Sequence, residues 1–341
     1  MAIPVFKPSI KRKEMDAVLT TLVSDSIGPG PESDRLASET AKYYGHAGGI
    51  ALRTPTEALK LALNALELPE GARVIMSPLA PGWYGEVLAD LKLGAVYADV
   101  DPENGCMSLE SIEHRLGPEI KAIVVHYPLG LVPDIAGMLD LGIPVIEDIS
   151  QSLGANNGEG LCGGFGRFTL VSIEAEGIIT SGGGAVVTGK SKRDYGRLRS
   201  LLGETGDGIR LADMNAVLGA VQLENIERNL TARGEIAKLY QDAVMKTKHR
   251  MLVQRGDAEN VHFSFPVLLE AGLKNVKQYA SKKGVETLPA FENTVFQRFP
   301  DPEYPCPQAD SIALRCILFP LYPMLGKRNT ETVIKVLSTL P

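Results

Sequence analysis

At 341 residues the chain is long enough to bury a large core, and its length favours two domains. The formal net charge of −6 argues against a nucleic-acid-binding surface, and no apolar run approaches the roughly 18 residues needed to span a membrane. The first residues lack the pattern of a signal peptide, and the four cysteines show no Cys-x-x-Cys spacing. We therefore expect a cytoplasmic protein without a structural metal.

Short apolar runs alternate with amphipathic stretches through the first two-thirds of the chain. The apolar runs predict strands at 49–52, 73–77, 95–99, 121–126 and 143–147. The stretches between them predict helices at 54–65, 83–93, 108–116 and 133–140. This alternation predicts an α/β fold with a mostly parallel sheet, in which ligands bind beyond the carboxyl ends of the strands.

The remainder of the chain predicts a smaller α+β domain. A long amphipathic stretch at 211–245 links the two parts, and it is followed by a predicted strand at 261–269 and predicted helices at 273–283 and 329–337. We place the boundary at residue 240, which gives a large domain of residues 1–240 and a small domain of residues 241–341.

Several side chains near predicted strand ends are candidates for binding. Thr54 and Glu57 form a predicted capping box, although free N–H groups at a helix start also attract phosphate. Asp148 follows a buried strand and is either a helix cap, a loop carboxylate or the partner of a ligand cation. Trp83, the sole tryptophan, serves either core packing or ring stacking.

Two features follow near residue 180. Glu174 and Glu176 alternate on a segment that we expect to be extended, so both would face one side, either in solvent or at the pocket. The run Gly182-Gly183-Gly184 matches no nucleotide-binding loop and predicts a tight turn before a strand at 185–188.

The order of these segments resembles the DegT/DnrJ/StrS family of pyridoxal-phosphate sugar aminotransferases over essentially the whole chain. The blocks that carry the resemblance include Ile146-Glu147-Asp148-Ile149-Ser150-Gln151, Leu218-Gly219-Ala220-Val221-Gln222-Leu223 and Phe319-Pro320-Leu321-Tyr322-Pro323. The resemblance implies a fold type I pyridoxal-phosphate transferase with a mostly parallel central sheet, a nucleotide-sugar ligand, and a homodimer with the cofactor pocket at its interface.

The resemblance also assigns roles to individual residues. Asp148 would pair with the pyridine nitrogen, Gln151 would contact the ring substituents, and Trp83 would stack on the ring. Ser172 falls near a phosphate-binding serine, and Thr56 ends the segment that matches the family's phosphate turn.

The departures from the family concern the cofactor itself. No lysine occurs between Lys121 and Lys190, and either Glu176 or Gly177 falls at the position of the Schiff-base lysine. Pro55 removes a backbone donor from the phosphate turn, and Gly208 replaces an asparagine that reaches the partner subunit's phosphate. Losing about two charge-assisted donors would weaken cofactor binding by roughly two to four powers of ten.

Three hypotheses follow. The favoured one is a homologue that does not transaminate and keeps a binding or regulatory role, with no cofactor or with one held non-covalently. The second is a lysine-independent enzyme using pyridoxal or pyridoxamine phosphate, with Glu174 or Glu176 as general base. The third is aminotransfer with a lysine from elsewhere, such as Lys190, Lys192 or the partner chain.

We also predict a role for Arg53 when no cofactor is bound. It precedes the phosphate turn, where the family has a small residue. A buried unpaired carboxylate is costly, so without a cofactor Asp148 needs another cation. We expect Arg53 either to pair with Asp148 or to fill the phosphate site.

Overall fold

A seven-stranded sheet forms the centre of the computed structural model, which describes residues 2–341. Its strands lie in the order β1-β7-β6-β5-β4-β2-β3, and only β7 runs antiparallel to its neighbours. The strands are β1 Gly48–Leu52, β2 Arg73–Met76, β3 Gly94–Tyr97, β4 Ile120–His126, β5 Val145–Asp148, β6 Phe168–Ser172 and β7 Ala185–Gly189. The predicted α/β class with a mostly parallel sheet is confirmed.

Thirteen α-helices accompany the strands within residues 2–341. They are α1 Arg12–Val23, α2 Pro31–Tyr43, α3 Pro55–Ala65, α4 Trp83–Asp90, α5 Leu109–Glu113, α6 Ile135–Asp140, α7 Lys192–Thr205, α8 Asp213–Leu223, α9 Ile226–Val244, α10 Leu273–Lys282, α11 Val295–Arg298, α12 Pro307–Arg315 and α13 Lys327–Leu337. The amphipathic stretch at 211–245 is thus two helices. They separate at Asn225, whose side chain donates to the carbonyl of Val221 at 2.8 Å.

A second, three-stranded antiparallel sheet follows in the order β8-β10-β9. Its strands are β8 Phe265–Leu268, β9 Leu288–Pro289 and β10 Cys316–Phe319. Beside it lies a separate hydrophobic cluster, to which the last part of α9 contributes Ala237, Tyr240 and Val244. Residue 240 therefore lies inside a helix that extends toward both sheets, and the domain boundary at this residue stays a prediction.

The strand directions bring the candidate residues to one edge of the large sheet. Strands β1, β4, β5 and β6 run the same way, so their carboxyl ends lie together. His126 pairs with Asp148 in register, while Leu52 and Ser172 both pair with Ala185. The predicted place of Asp148 at a strand end is confirmed.

Helix α1 exposes an apolar stripe. One face of the helix packs against α8, whereas Met15, Leu19, Leu22 and Val23 are between 43% and 81% exposed. Their spacing places these four side chains on one side of the helix. The apolar stripe of α1 is therefore its exposed side, whereas its buried residues are Glu14 and Thr21.

Residues 2–341 contain neither a candidate membrane span nor a candidate metal cluster. No helix there is long and apolar enough to cross a membrane. No group of three or more His, Cys, Asp or Glu side chains there is placed to hold a metal ion. The four cysteines are free thiols and are buried.

Candidate functional site

Asp148 is the centre of the site at the carboxyl edge. Its side chain is buried, and both of its oxygens already accept hydrogen bonds from the protein. Tyr84 donates its hydroxyl to Oδ2, while Oδ1 accepts from the Ser150 hydroxyl and from the Ser150 backbone N–H at 3.0 Å. The carboxylate is therefore held by donors from the segment just after β5 and from α4.

Ser150 extends this network to the next strand. Its hydroxyl oxygen accepts from the backbone N–H of Ser172 at 2.8 Å while its proton goes to Asp148. Ser172, half-buried at the end of β6, is thus tied to Asp148 through a single serine. The sequence-predicted residues Asp148 and Ser172 do lie together, joined by a residue that was not predicted.

His126 is a second residue that was not predicted. It ends β4, is 3% exposed, and its Nδ1 lies 3.4 Å from Oδ2 of Asp148. This Nδ1 is buried and has no hydrogen-bond partner. The ring stands edge-on to Tyr84, with centroids 6.4 Å apart.

These contacts shift the pKa values of Asp148 and Tyr84 in opposite directions. Burial alone would raise the pKa of Asp148, but His126, Ser150 and Tyr84 together lower that pKa below its usual value. Burial, and then the charge of Asp148, hold the pKa of Tyr84 well above its usual value. An ionised carboxylate thus accepts from a protonated phenol, which makes this a charge-assisted hydrogen bond.

A cleft of about 300 Å³ opens beside this network. Its lining includes Trp83, His126 and Gln151 on the sheet side and Asn293 and Arg298 on the other. Trp83 is half-buried and begins α4, so it follows β2 as expected. The cleft therefore gathers two residues that the sequence singled out, together with the unpredicted His126.

The two walls of the cleft are joined by backbone hydrogen bonds. Gly82 donates to Asn293 at 3.0 Å, and Val295 donates to Ala80 at 2.8 Å. Gln151 accepts from the Leu129 N–H at 2.8 Å through its carbonyl oxygen, which leaves its amide N–H₂ group for a ligand. The Gln151 amide is thus a fixed donor on one wall.

Glu174 and Glu176 do not lie on an extended segment, and that expectation is wrong. Strand β6 ends at Ser172, and Gly177 donates to the carbonyl of Glu174 at 3.0 Å, which closes a turn. Both glutamate side chains are exposed, and Glu174 accepts from the Gly184 N–H at 3.3 Å. The predicted tight turn at Gly182-Gly183-Gly184 is confirmed by positive φ angles of 76°, 143° and 117°.

The residues of the predicted phosphate turn form the N-terminal cap of α3. Thr54 caps α3 by accepting from the N–H of Glu57 at 3.2 Å, so this donor is not free for an anion. Thr56 is half-buried in the first turn of the helix, next to Glu57, whose carboxylate opposes phosphate binding. The β1 and β6 ends do bring Thr56 and Ser172 to the same sheet edge.

Arg53 is not the partner of Asp148, so that part of the expectation is wrong. The Arg53 side chain is exposed and makes no ion pair with any residue from 2 to 341, whereas Asp148 is satisfied by Tyr84 and Ser150. A phenol and a hydroxyl therefore replace the expected guanidinium. The other expectation, that Arg53 fills the phosphate site, stays a prediction.

Neither Lys190 nor Lys192 can take the place of the missing lysine. Lys190 follows the end of β7 that pairs with Phe168, the first residue of β6, and its Nζ donates to the carbonyl of Phe165 at 2.8 Å. Lys190 and the nearby Lys192 therefore lie at the opposite edge of the sheet from Asp148. The hypothesis of a lysine donated by this part of the chain is wrong, while a lysine from a partner stays untested.

Pyridoxal phosphate, the cofactor that the resemblance implies, does not fit these residues as a Schiff base. Besides the missing lysine, the backbone at Gly177 excludes a side chain, because a Cβ there would lie 2.3 Å from the carbonyl oxygen of Ile179. Asp148, the intended partner of the pyridine nitrogen, already accepts two hydrogen bonds from Ser150 on Oδ1 and one from Tyr84 on Oδ2, so only Oδ2 could accept a further donor. At the start of α3, the N–H of Glu57 already donates to Thr54 and is therefore not free for the phosphate of the cofactor.

The comparisons with known proteins cover nearly the whole chain. A family model described as the DegT/DnrJ/EryC1/StrS aminotransferase family matches residues 8–338. A UDP-N-acetyl-3-dehydro-alpha-D-glucosamine 3-aminotransferase from Acidithiobacillus ferrooxidans is 27% identical over 331 residues, which is 90% of this chain and 88% of the relative.

Solved structures show the same fold. The aminotransferase TlmJ from Streptoalloteichus hindustanus superposes with a TM-score of 0.91 at 23% identity and covers 98% of both chains. A putative sugar aminotransferase, Spr1654 from Streptococcus pneumoniae, solved in a PLP-form, gives a TM-score of 0.89 at 20% identity, covering 99% of this chain and 98% of the other. It was also solved in a PMP-form.

Proposed function

Because this chain belongs to the DegT/DnrJ/EryC1/StrS aminotransferase family, we propose that it is a member that binds a nucleotide sugar without transaminating it. Its role would then be binding or regulation in carbohydrate biosynthesis. The observation that carries the proposal is the turn at Gly177, one of the two positions that match the Schiff-base lysine, where a Cβ would lie 2.3 Å from the carbonyl oxygen of Ile179. The sequence adds that no lysine is available between Lys121 and Lys190.

The cleft supports the choice of ligand. It is large enough for a sugar ring, and it offers the Trp83 ring for stacking and the Gln151 amide as a donor. His126 also lines the cleft, although its Nδ1 is buried beside Asp148. A relative whose name gives a UDP-linked keto sugar as its substrate makes a nucleotide sugar the natural probe.

A cofactor titration tests the loss of transamination. Purified protein would be titrated with pyridoxal phosphate and followed by absorbance, then treated with borohydride to trap any Schiff base for mass spectrometry. We expect no saturable aldimine band and no adduct confined to one lysine. Asp148→Asn is the matched variant. If the wild type bound pyridoxal phosphate saturably and Asp148→Asn did not, the proposal would be overturned.

Intrinsic fluorescence tests ligand binding, because Trp83 is the sole tryptophan and lines the cleft. We expect UDP-N-acetylglucosamine to change this fluorescence saturably and Gln151→Ala to weaken the response. UDP alone separates recognition of the sugar from recognition of the nucleotide. A response that is identical in the wild type and in Gln151→Ala would refute binding in this cleft.

The alternative of a lysine-independent enzyme has less support. Glu174 and Glu176, its proposed bases, are exposed on a turn, and neither lines the cleft. If the protein nevertheless turns over a nucleotide sugar with pyridoxamine phosphate, the double variant Glu174→Gln/Glu176→Gln would measure their part. Loss of turnover in that variant would favour the enzyme over the binding protein.

A further inference from the structure

A basic recess lies at the edge of the sheet opposite to Asp148. It has a volume of about 310 Å³ and is formed by the end of α3, by Arg167 just before β6, and by the first turns of α7. Asp148 and Ser172 end their strands, whereas Arg167 precedes one. The recess is therefore separate from the candidate site.

The charges of the recess do not cancel. Three guanidinium groups and two carboxylates line it, which leaves one positive charge. Arg167 pairs with Asp194, and Nη2 of Arg197 pairs with Glu67 at 2.8 Å. Arg193 forms no ion pair with any residue from 2 to 341. In a chain of net charge −6, a local excess of arginine is attractive to anions.

One donor in the recess lacks an acceptor. Nε of Arg197 is buried and has no hydrogen-bond partner, although nearly all buried donors in native proteins are satisfied. The Glu67 carboxylate binds a different nitrogen of the same guanidinium. Because Nε is buried, an acceptor in the recess could complete the hydrogen bonding of Arg197 only after the guanidinium turned to expose it.

The spacing along α7 arranges the remaining contacts. Arg193, Arg197 and Ser200 are four and three residues apart, so they lie on one face of the helix. Gly196 lies on this face as well, and a Cβ there would meet no atom within 4 Å. The glycine therefore leaves open space between two arginines, beside a serine hydroxyl.

We propose that this recess binds a phosphate group, either free orthophosphate or the phosphate of a small phosphorylated metabolite. Guanidinium groups donate two parallel hydrogen bonds to phosphate, and the geometry of a planar fork suits its tetrahedral oxygens. Arg193 supplies the unpaired charge, Arg197 a second guanidinium at the wall of the recess, and Ser200 a hydroxyl.

Calorimetric titration with sodium phosphate, at an ionic strength held constant with sodium chloride, tests the site. We expect saturable binding in the wild type, and affinity about tenfold or more weaker in Arg193→Ala and in Gly196→Leu. Gly196→Leu removes no charge and fills the space, and leucine favours a helix more than glycine does, so folding is not compromised. Glucose 1-phosphate, titrated in parallel, separates a metabolite from the free ion, and binding of either supports the site.

Arg199→Ala is the matched control, because Arg199 lies on the same helix, stacks over Tyr195 and does not line the recess. Its affinity for phosphate should equal that of the wild type. Equal weakening by Arg193→Ala and Arg199→Ala would indicate attraction to the general charge of α7 and would overturn the proposal. So would the absence of saturable binding, or unchanged affinity in Gly196→Leu.

Discussion

Replacing Tyr84 by phenylalanine tests the Asp148 network most directly. The Tyr84 side chain is fully buried, and within residues 2–341 its hydroxyl donates the one hydrogen bond that Asp148 Oδ2 accepts, since the His126 nitrogen at 3.4 Å forms none. A hydrogen bond to a charged group contributes about 1.5–3 kcal/mol, and the change leaves a buried carboxylate oxygen poorly satisfied. We expect Tyr84→Phe to lower the free energy of unfolding by about 1.5–3 kcal/mol.

Urea denaturation at neutral pH measures this loss, and Tyr127→Phe provides a matched control. Tyr127 is equally buried, and its hydroxyl donates to Glu147 at 2.6 Å, but Glu147 keeps three backbone donors, from Gly163, Phe165 and Gly166. Tyr127→Phe should therefore lower the free energy of unfolding by less than Tyr84→Phe does. In the double variant Tyr84→Phe/Asp148→Asn the two effects should not add, since the charge and its donor are both removed. An additive double variant, or a Tyr84→Phe no less stable than the wild type, would refute the reasoning.

Three further outcomes are expected. Leu19→Lys should convert a homodimer to a monomer in light scattering, because it charges the exposed stripe of α1 that we expect to form the dimer contact; a wild-type monomer would contradict this. His46 should make stability fall as pH drops from about 6.5 to about 4, because burial lowers its folded pKa to about 4 and the unfolded state then binds more protons. The loss should be between about 1 and 3 kcal/mol in urea unfolding, and His46→Asn should reduce it; an unchanged loss would exclude His46. Gly177→Lys should form no aldimine with pyridoxal phosphate, as followed by absorbance, whereas a band near that of a Schiff base would show that the turn can move.

The alternation of apolar runs was sufficient to predict the sheet edge of the site. Asp148 was found because it follows a buried strand, and the same reasoning applied to His126, which ends the preceding strand, would have found it too. The sequence does not indicate that Tyr84 belongs to the site. A tyrosine next to the sole tryptophan at the start of a helix is equally typical of a residue in the hydrophobic core. Only the packing of α4 against the sheet edge brings its hydroxyl to the carboxylate.

The errors came from local geometry that side-chain patterns do not encode. Glu174 and Glu176 alternate as they would in a strand, but the backbone hydrogen bond at Gly177 closes a turn instead. Arg53 was paired with Asp148 by charge alone, because a sequence does not reveal that neutral hydroxyl donors satisfy the carboxylate.

The turn at Gly177 has a consequence for how this branch of the family can change. A lysine introduced at residue 177 would collide with the carbonyl oxygen of Ile179 before it reached the sheet edge. An amine could therefore return at this position only if the loop were rebuilt together with the new residue. Position 176 carries no such steric bar, so a lysine there and a lysine at 177 would place different demands on the backbone.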